Sequence, residues 1–500
     1  MLKRVSERKW ERSGLDWPAV VKPDAQLFHP RPTLRKLVVM MDTGVEKDPD
    51  PSVSLLEQLD ERLLVADLVN HDYIVLYRYA DDGPPVGTSG HTLRNYPGLV
   101  YPGWVIAEEV DASEGVQVGV RYSQSPTQLA WGSRPDNRLT IAERDANTGA
   151  YSDMTDEGAK GRRRADAKAY LAAETVGVDL FITQRDYLVK STQYSSDGVL
   201  VCDPEAALAF IGLYLRTQGE FRILSDFKFN RGLFYLAGTH QLLSSGHRWR
   251  RAIGQYTEGS GDMELQRISW SVIQRIDRAL EERDRLHAAL NQKQNNDIRD
   301  EALVLLDTIV LWFMAAFDAA ARVANRVLAL SIKDSDVGWQ KSGWLKKVEE
   351  VCPDLAAIMA PGTSGQNVLT IVRLLRNSVH GAALQGAAYH NNQGPQQTIV
   401  ALPPDDEVKI LAAMDAEGRR AAWGVVLEIP DYQVQLDPGV FVERAFQAVI
   451  PLLNRLMDAT PIEKLPHVDL STPAPVVRGD PYDNPFSPEN GKSIRWQLGL

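Results

Sequence analysis

The pattern of apolar and polar residues along the chain changes from alternating strands and helices to helices alone near residue 225. Before that point, residues 37–41 and 73–77 form short apolar runs, and residues 54–70 carry leucines at helical spacing. Short continuous apolar runs are typical of strands that are buried on both faces. Strands that alternate with helices predict an α/β domain with a mostly parallel sheet.

The second part of the chain has apolar residues at helical spacing almost throughout, which predicts an all-α helical bundle. Helices are predicted over residues 262–292, 296–331, 339–359, 364–385, 405–416 and 439–458. A small β excursion is predicted around residues 397–402 and 423–429. The most apolar stretch, residues 302–331, is interrupted by charged residues. It therefore predicts a central bundle helix, because a membrane span wants about 20 mostly apolar residues.

These patterns divide the chain into five segments. The predicted order is an extended arm (1–30), an α/β domain (31–220), a helical connector (221–261), a helical bundle (262–460) and an extended tail (461–500). The tail is predicted to be extended because it is rich in Pro, Asp and Asn.

Composition narrows the class of protein. The chain has 500 residues, of which 44% are hydrophobic and 24% charged, as in ordinary globular proteins. A net charge of −11 argues against nucleic-acid binding by the whole surface, but it leaves room for a local basic patch. The two cysteines, Cys202 and Cys352, are too few for a disulfide framework. With no apolar run after the N-terminal residues, the sequence predicts a cytoplasmic protein with no membrane segment.

Three acids stand at the ends of predicted elements in the α/β domain. Asp42 closes the first strand, Asp166 opens a helix, and Asp179 begins the next strand. In parallel α/β sheets, sites gather at the carboxyl ends of the strands. Carboxylates that meet there repel one another and usually bind a cation such as Mg²⁺, which can activate water for phosphodiester cleavage. The alternative is local: an acid at a strand end or helix start suits turns and the helix dipole.

The segment LVVMMDTG (residues 37–44), followed downstream by residues 166–183, resembles the PIN-like nuclease superfamily over roughly residues 35–190. The resemblance implies RNA cleavage by an acidic cluster that binds Mg²⁺ or Mn²⁺. By motif position, Asp42 and Asp166 correspond to two of its acids. A middle acid is also expected, and the candidates are Glu57, Asp60 and Asp67.

The chain departs from the PIN-like pattern after Thr183. The family often has an acid two residues further on, where this chain has Arg185, and Asp186 comes one residue late. A different feature lies just before Asp166, where Arg162, Arg163 and Arg164 follow one another. Three arginines beside candidate phosphate-processing acids could hold a nucleic-acid backbone, or they could form a solvated charge run.

Residues 368–380, read as a helix, have two faces. The apolar face consists of Val368, Ile371, Val372, Leu375 and Val379. The polar face consists of Arg373, Arg376, Asn377 and His380. A guanidinium binds phosphate oxygens, and an imidazole can accept or donate a proton near neutral pH. The pattern therefore indicates either phosphodiester chemistry or an ordinary solvated face.

The segment 375–381, LRNSVHG, resembles the motif of HEPN domains, and the resemblance covers roughly residues 262–460. It implies RNA cleavage without a metal or other cofactor, by attack of the ribose 2′-hydroxyl on the neighbouring phosphate. His380 would act as general base or acid, Arg376 with Arg373 would stabilise the charge on the phosphorane, and Asn377 would orient the phosphate or the His. Such domains usually dimerise, so a homodimer through the helical domain is implied. Here only three residues separate Arg376 from His380, a shorter spacing than the family's.

Two hypotheses follow. The first is a ribonuclease that acts on RNA in bacterial stress or phage defence. The second is a non-catalytic RNA-binding or dimer-scaffold protein with degenerate PIN-like and HEPN-like domains, which the acidic pI, Arg185 and the short Arg-to-His spacing favour.

Overall fold

The computed structural model describes the following parts of the chain: residues 35–47, 50, 52–53, 58–81, 103–112, 115–125, 128–135, 156–190, 199–224, 227–378, 384–389, 397–427, 433–471 and 484–500. Residues 36–500 form one compact unit. The predicted arm, residues 1–30, lies outside the described residues.

A seven-stranded mixed sheet forms the N-terminal half. Its strands are β1 (Leu37–Asp42), β2 (Ile74–Tyr79), β3 (Gly103–Ala112), β4 (Gly115–Ser125), β5 (Gln128–Pro135), β6 (Leu180–Ile182) and β7 (Leu200–Cys202). They lie in the order β5-β4-β3-β2-β1-β6-β7. Strands β3, β2, β1, β6 and β7 run parallel to one another. Strands β4 and β5 form an antiparallel edge next to β3. The predicted mostly parallel sheet is confirmed.

Helices cover both faces of this sheet. They are α1 (Glu61–Leu68), α2 (Asp156–Val176), α3 (Asp186–Lys190) and α4 (Pro204–Thr217). Successive residues of β1 point to opposite faces, so Met40 joins one apolar core with Tyr170 of α2, and Val39 joins the other with Ile211 of α4. Burial on both faces is the physical reason that β1 is apolar from Leu37 to Met41.

The C-terminal half is largely helical. Its helices are α5 (Arg231–Leu242), α6 (Gly246–Ser260), α7 (Met263–Leu290), α8 (Asn296–Val327), α9 (Ser342–Val351), α10 (Pro353–Ile358), α11 (Ser364–Ser378), α12 (Glu407–Ala416), α13 (Pro438–Ala459) and α14 (Pro488–Leu498). The long helices α7 and α8 pack against each other. α8 is long and apolar enough to cross a membrane by length and composition, but many of its side chains are buried in the bundle core. It is the predicted central helix.

Two small sheets accompany the helices. A hairpin joins β8 (Phe221–Leu224) to β9 (Phe227–Phe229). A four-stranded sheet has the order β10-β11-β13-β12, built from β10 (Gly386–Tyr389), β11 (Gln397–Ala401), β12 (Val425–Leu427) and β13 (Gln435–Leu436). The second sheet confirms the predicted β excursion.

Two predicted segment boundaries are corrected. The segment 221–261 is not a separate connector, because Phe234 of α5 and Trp249 of α6 are buried in the bundle core. The segment 461–500 is not extended throughout, because it ends in α14. Ser487 caps this helix, and Pro488 suits its first turn, where no backbone N–H is needed. Buried Ile494 anchors α14, which packs against α4 and α5.

Candidate functional site

Three acids meet at the carboxyl edge of the parallel strands. Asp42 ends β1, Asp81 follows β2, and Asp166 lies on α2. The order of strands reverses beside β1, since β2 and β3 lie on one side of it and β6 and β7 on the other. Such a reversal leaves a crevice where side chains from several elements converge. The structure thus brings Asp42 and Asp166 together, as the sequence predicts, and adds Asp81.

A guanidinium lies at the centre of these acids. Arg185 donates from Nε to Asp42 Oδ2 at 2.6 Å, from Nη2 to Asp81 Oδ2 at 2.7 Å and from Nη1 to Asp166 Oδ1 at 3.2 Å. Thr183, which follows β6, donates from its hydroxyl to Asp42 Oδ2 at 3.1 Å and accepts from the backbone N–H of Arg185 at 3.1 Å. Each of the three guanidinium nitrogens therefore binds a different carboxylate.

Burial makes this arrangement strong. Arg185 is 5% exposed and Asp166 is 1% exposed, so their charges are poorly screened by water. Burial acts to lower the pKa of Arg185, but the hydrogen bonds and charges of Asp42 and Asp81 outweigh it and raise the pKa above its usual value. The guanidinium therefore stays charged and neutralises part of the charge of the acids.

The acids do not fit Mg²⁺ or Mn²⁺ while Arg185 is bonded to them. These ions need several oxygen ligands at short distance, and a guanidinium has no acceptor atom and repels a cation. In the described ranges, no group of three or more His, Cys, Asp or Glu side chains is arranged to hold a metal ion. We name Arg185, Asp42, Asp81 and Asp166 the closed acid cluster.

Asp179 does not belong to the closed acid cluster. It precedes β6, which is parallel to β1, so it lies at the opposite edge of the sheet from Asp42. Its Oδ2 accepts a hydrogen bond from the backbone N–H of Val38 at 2.9 Å. This bond ties the start of β6 to the start of β1, which is a structural role.

The two described candidates for the middle acid, Asp60 and Asp67, lie outside the cluster. Asp60 caps α1 by accepting from Leu63 N at 2.9 Å, and Asp67 is buried 3.7 Å from Arg222. Glu57 lies outside the described residues. The third acid of the cluster is Asp81. It follows the second strand as Asp42 ends the first, so the strand-end rule applied to β2 could have found it.

The triple arginine lies in the first half of α2. Arg162 is exposed, and its Nε is 3.5 Å from Asp166 Oδ1. The side chains of Arg163 and Arg164 are not among those described. Arg162 therefore borders the closed acid cluster, one helical turn from Asp166.

The second predicted site lies on α11. Val368, Ile371, Val372 and Leu375 are buried, which confirms the predicted apolar face. On the other face, Arg373 and Arg376 are half-buried and Asn377 is exposed. His380 lies beyond α11 and outside the described residues.

The charge of Arg376 acts on Asp318 of α8. Burial raises the pKa of Asp318, while the positive charges of Arg376, Arg322 and Arg275 and a hydrogen bond from Gln340 act in the opposite direction. Arg275 belongs to α7 and donates to the backbone carbonyl of Ala315. The positive charges of side chains on three helices thus act on one carboxylate, and the Nε of Arg376 is buried without a hydrogen-bond partner.

These side chains belong to a longer row that we name the arginine seam. On α7, residues 264, 267, 271, 275 and 278 are three or four apart and so lie on one face of the helix. The members of the seam are Arg267, Arg275 and Arg278 of α7, Arg322 and Arg326 of α8, Arg376 of α11, and the acids Glu264 and Asp318. Asp277 also interacts with Arg278, so six arginines against three acids leave an excess of three positive charges on a protein whose net charge is −11.

An aromatic side chain lies within the seam. The guanidinium of Arg278 lies 4.9 Å from the centre of the Trp312 ring. Such contact holds a cation in place without using its hydrogen-bond donors. The arginines of the seam are divided among three helices, so the sequence shows only Arg376 as part of a local pattern, the polar face of α11.

The fold and the two sites define an α/β layer with a closed acid cluster, joined to a helical bundle with an arginine seam. No protein-family model, no curated protein and no solved structure matches the chain. The resemblances to PIN-like and HEPN domains stay predictions.

Proposed function

We propose that this protein targets RNA through the arginine seam and cleaves it without a metal ion. The observation that supports the proposal is the excess of positive charge in the arginine seam, where Arg275, Arg322 and Arg376 all act on the charge of Asp318. Lys and Arg side chains that neutralise successive phosphates supply most of the sequence-independent affinity for nucleic acids. A positive row on an acidic protein directs a polyanion to one surface.

The proposed chemistry uses the polar face of α11 and His380, which comes two residues after the last residue of α11. The ribose 2′-oxygen attacks the adjacent phosphorus, and its proton passes to His380 as general base. The new bond is P–O2′ and the bond that breaks is P–O5′. The products are a 2′,3′-cyclic phosphate and a 5′-hydroxyl, whose oxygen takes its proton from water. Arg376 is half-buried, and the accessible part of its guanidinium would donate to the charged phosphorane, with Arg373 beside it.

The α/β half has a different role in this proposal. In this proposal the α/β half does not cleave RNA, because the acids of the closed acid cluster are bonded to Arg185. We place the protein in the cytoplasm, as a homodimer formed through the helical half, acting in bacterial stress or phage defence.

Incubation of the protein with total RNA, with and without EDTA, tests the proposal. We expect cleavage that survives EDTA, is lost in His380→Ala and falls in Arg376→Ala. Asp42→Asn is the matched control, because it alters the closed acid cluster and leaves α11 untouched. Cleavage that EDTA abolishes, or intact RNA under every condition, would contradict a metal-independent ribonuclease.

A second function, RNA binding without cleavage, is supported by a specific observation. The carboxylate of Asp318 already interacts electrostatically with Arg376 and would compete with a phosphate for its charge. In this case RNA is retained uncut, and His380→Ala leaves retention unchanged, whereas Arg275→Ala together with Arg322→Ala weakens it. Sedimentation of the same variants shows whether the homodimer depends on the seam.

A further inference from the structure

A cavity of about 540 Å³ lies between α6 and the first turns of α7. Its lining includes Arg250, Met263, Gln266, Arg267, Ser269 and Trp270. The volume falls in the range of small-molecule sites. Two cations, an indole, an amide and a hydroxyl are the groups that contact the phosphate, the ring face and the ring edge of a nucleotide.

The cations of this cavity are available, unlike those of a second cavity. The second cavity, of about 560 Å³, is lined in part by Arg283, Arg216 and the acids that bind them. Arg283 donates to both oxygens of Glu443 at 2.6 and 2.7 Å. The lining of the cavity between α6 and α7 contains no acid, and the one carboxylate that binds its cations, Glu264 on Arg267, is partly exposed.

Arg250 is oriented by a neutral partner. Its Nη1 lies 3.0 Å from Nε2 of the buried His240. Burial, with the charges of Arg250 and His247, lowers the pKa of His240 to about 4. At pH 7 the imidazole is therefore neutral and can accept a hydrogen bond from the guanidinium, which leaves the charge of Arg250 for a ligand.

Arg267 connects the cavity to the arginine seam, because it belongs to both. It binds Glu264 at 2.8 and 2.9 Å, but the pair is exposed and lies one helical turn apart. Exposed pairs of this kind contribute little, so a phosphate can replace the carboxylate. Trp270 is half-buried and lies three residues further along α7.

We infer that this cavity receives one unstacked base of a single-stranded RNA whose backbone lies on the arginine seam. The inference rests on the proposed function and deepens it. The base stacks on Trp270, Gln266 and Ser269 contact its edge, and Arg250 and Arg267 hold the flanking phosphates. Because a base inside a duplex cannot enter, the site selects single strands.

Fluorescence anisotropy with a labelled single-stranded RNA of about ten nucleotides tests the inference. Loss of a stacked base weakens binding roughly 5- to 150-fold, so we expect this for Trp270→Ala, with recovery in Trp270→Phe. Met263→Glu tests the rim without touching the core, because Met263 is 64% exposed, and we expect it to weaken binding too. Trp496→Ala is the matched control, since Trp496 is also half-buried beside a cation, Lys492, at 4.6 Å.

The outcomes separate this inference from the proposed function. If Arg275→Ala weakens binding but Trp270→Ala and Met263→Glu leave it within twofold of wild type, the base site is refuted and the seam stands. Equal loss on duplex RNA also refutes the base site. Absence of RNA binding by the wild-type protein overturns both. If Trp270→Ala does not fold, Met263→Glu and Trp270→Phe decide the question.

Discussion

Replacing Arg185 with Ala tests the closed acid cluster most directly. The substitution removes three charge-assisted hydrogen bonds, to Asp42, Asp81 and Asp166. The side chains of Asp42 and Asp166 are 11% and 1% exposed, so both are left as buried charges without their shared cation. The side chain of Asp81 is 36% exposed, and water can replace the guanidinium there.

The magnitude follows from these exposures. Removing one partner of a buried ion pair costs about 3 to 5 kcal/mol, whereas an exposed pair contributes about 0 to 1 kcal/mol. Asp42 and Asp166 lose the same partner, so their losses are not additive. We expect the free energy of unfolding to fall by about 4 kcal/mol. For a domain of about 150 to 250 residues, each kcal/mol of lost stability lowers the melting temperature by about 2 to 4 °C. We therefore expect the melting temperature of the α/β half to fall by roughly 8 to 16 °C.

Divalent ions provide the assay. In Arg185→Ala the three carboxylates lose the guanidinium that they share, and we expect Mn²⁺ or Mg²⁺ to take its place and raise the melting temperature. An ion at 100 times its dissociation constant contributes about 2.7 kcal/mol, which recovers much of the loss. The wild-type protein should show no such rise. Differential scanning calorimetry at pH 7, with Mn²⁺ and with EDTA, measures both.

A matched variant controls for loss of a buried arginine. Arg78 of β2 is 6% exposed and is paired with Glu46. We expect Arg78→Ala to lose stability without any recovery by Mn²⁺. The reasoning is refuted if Arg185→Ala is as stable as wild type, or if Mn²⁺ stabilises the wild-type protein as much as the variant.

Three further outcomes are expected. The pKa of His240 is lowered to about 4 in the folded protein, so as pH falls below 6.5 the unfolded chain binds a proton before the folded protein does. The free energy of unfolding therefore decreases between pH 6.5 and 4. We expect His240→Gln to reduce this decrease in urea titrations. Burial raises the pKa of the Cys202 thiol, so in the native protein it should resist a thiol reagent at pH 8 and react only after denaturation. Ile494→Ala removes a fully buried side chain of α14 and should cost about 2 to 5 kcal/mol in denaturant unfolding, whereas an extended tail would show no loss.

Much of the fold was predictable because it depends on short periodicities. The run of apolar residues in β1 and the apolar face of α11 are set by which side chains must be buried, and this is visible within a few residues. The prediction of an extended tail is wrong for residues 488–498, which form α14, because it was based on composition alone. This helix is stabilised by distant partners, since Gln497 donates to the carbonyl of Arg222 at 2.9 Å and Ser493 to that of Ile223 at 2.6 Å.

The amino-acid order alone determined that Asp42 would end a buried strand and that Arg373, Arg376 and Asn377 would share a helix face, because strand and helix periods are local. Folding determined their partners. Arg185 lies 143 residues from Asp42 and 104 from Asp81, yet one guanidinium binds both. The seam likewise joins cations of three helices around Asp318. Charges far apart in the chain interact only after packing has buried the apolar faces that bring them together.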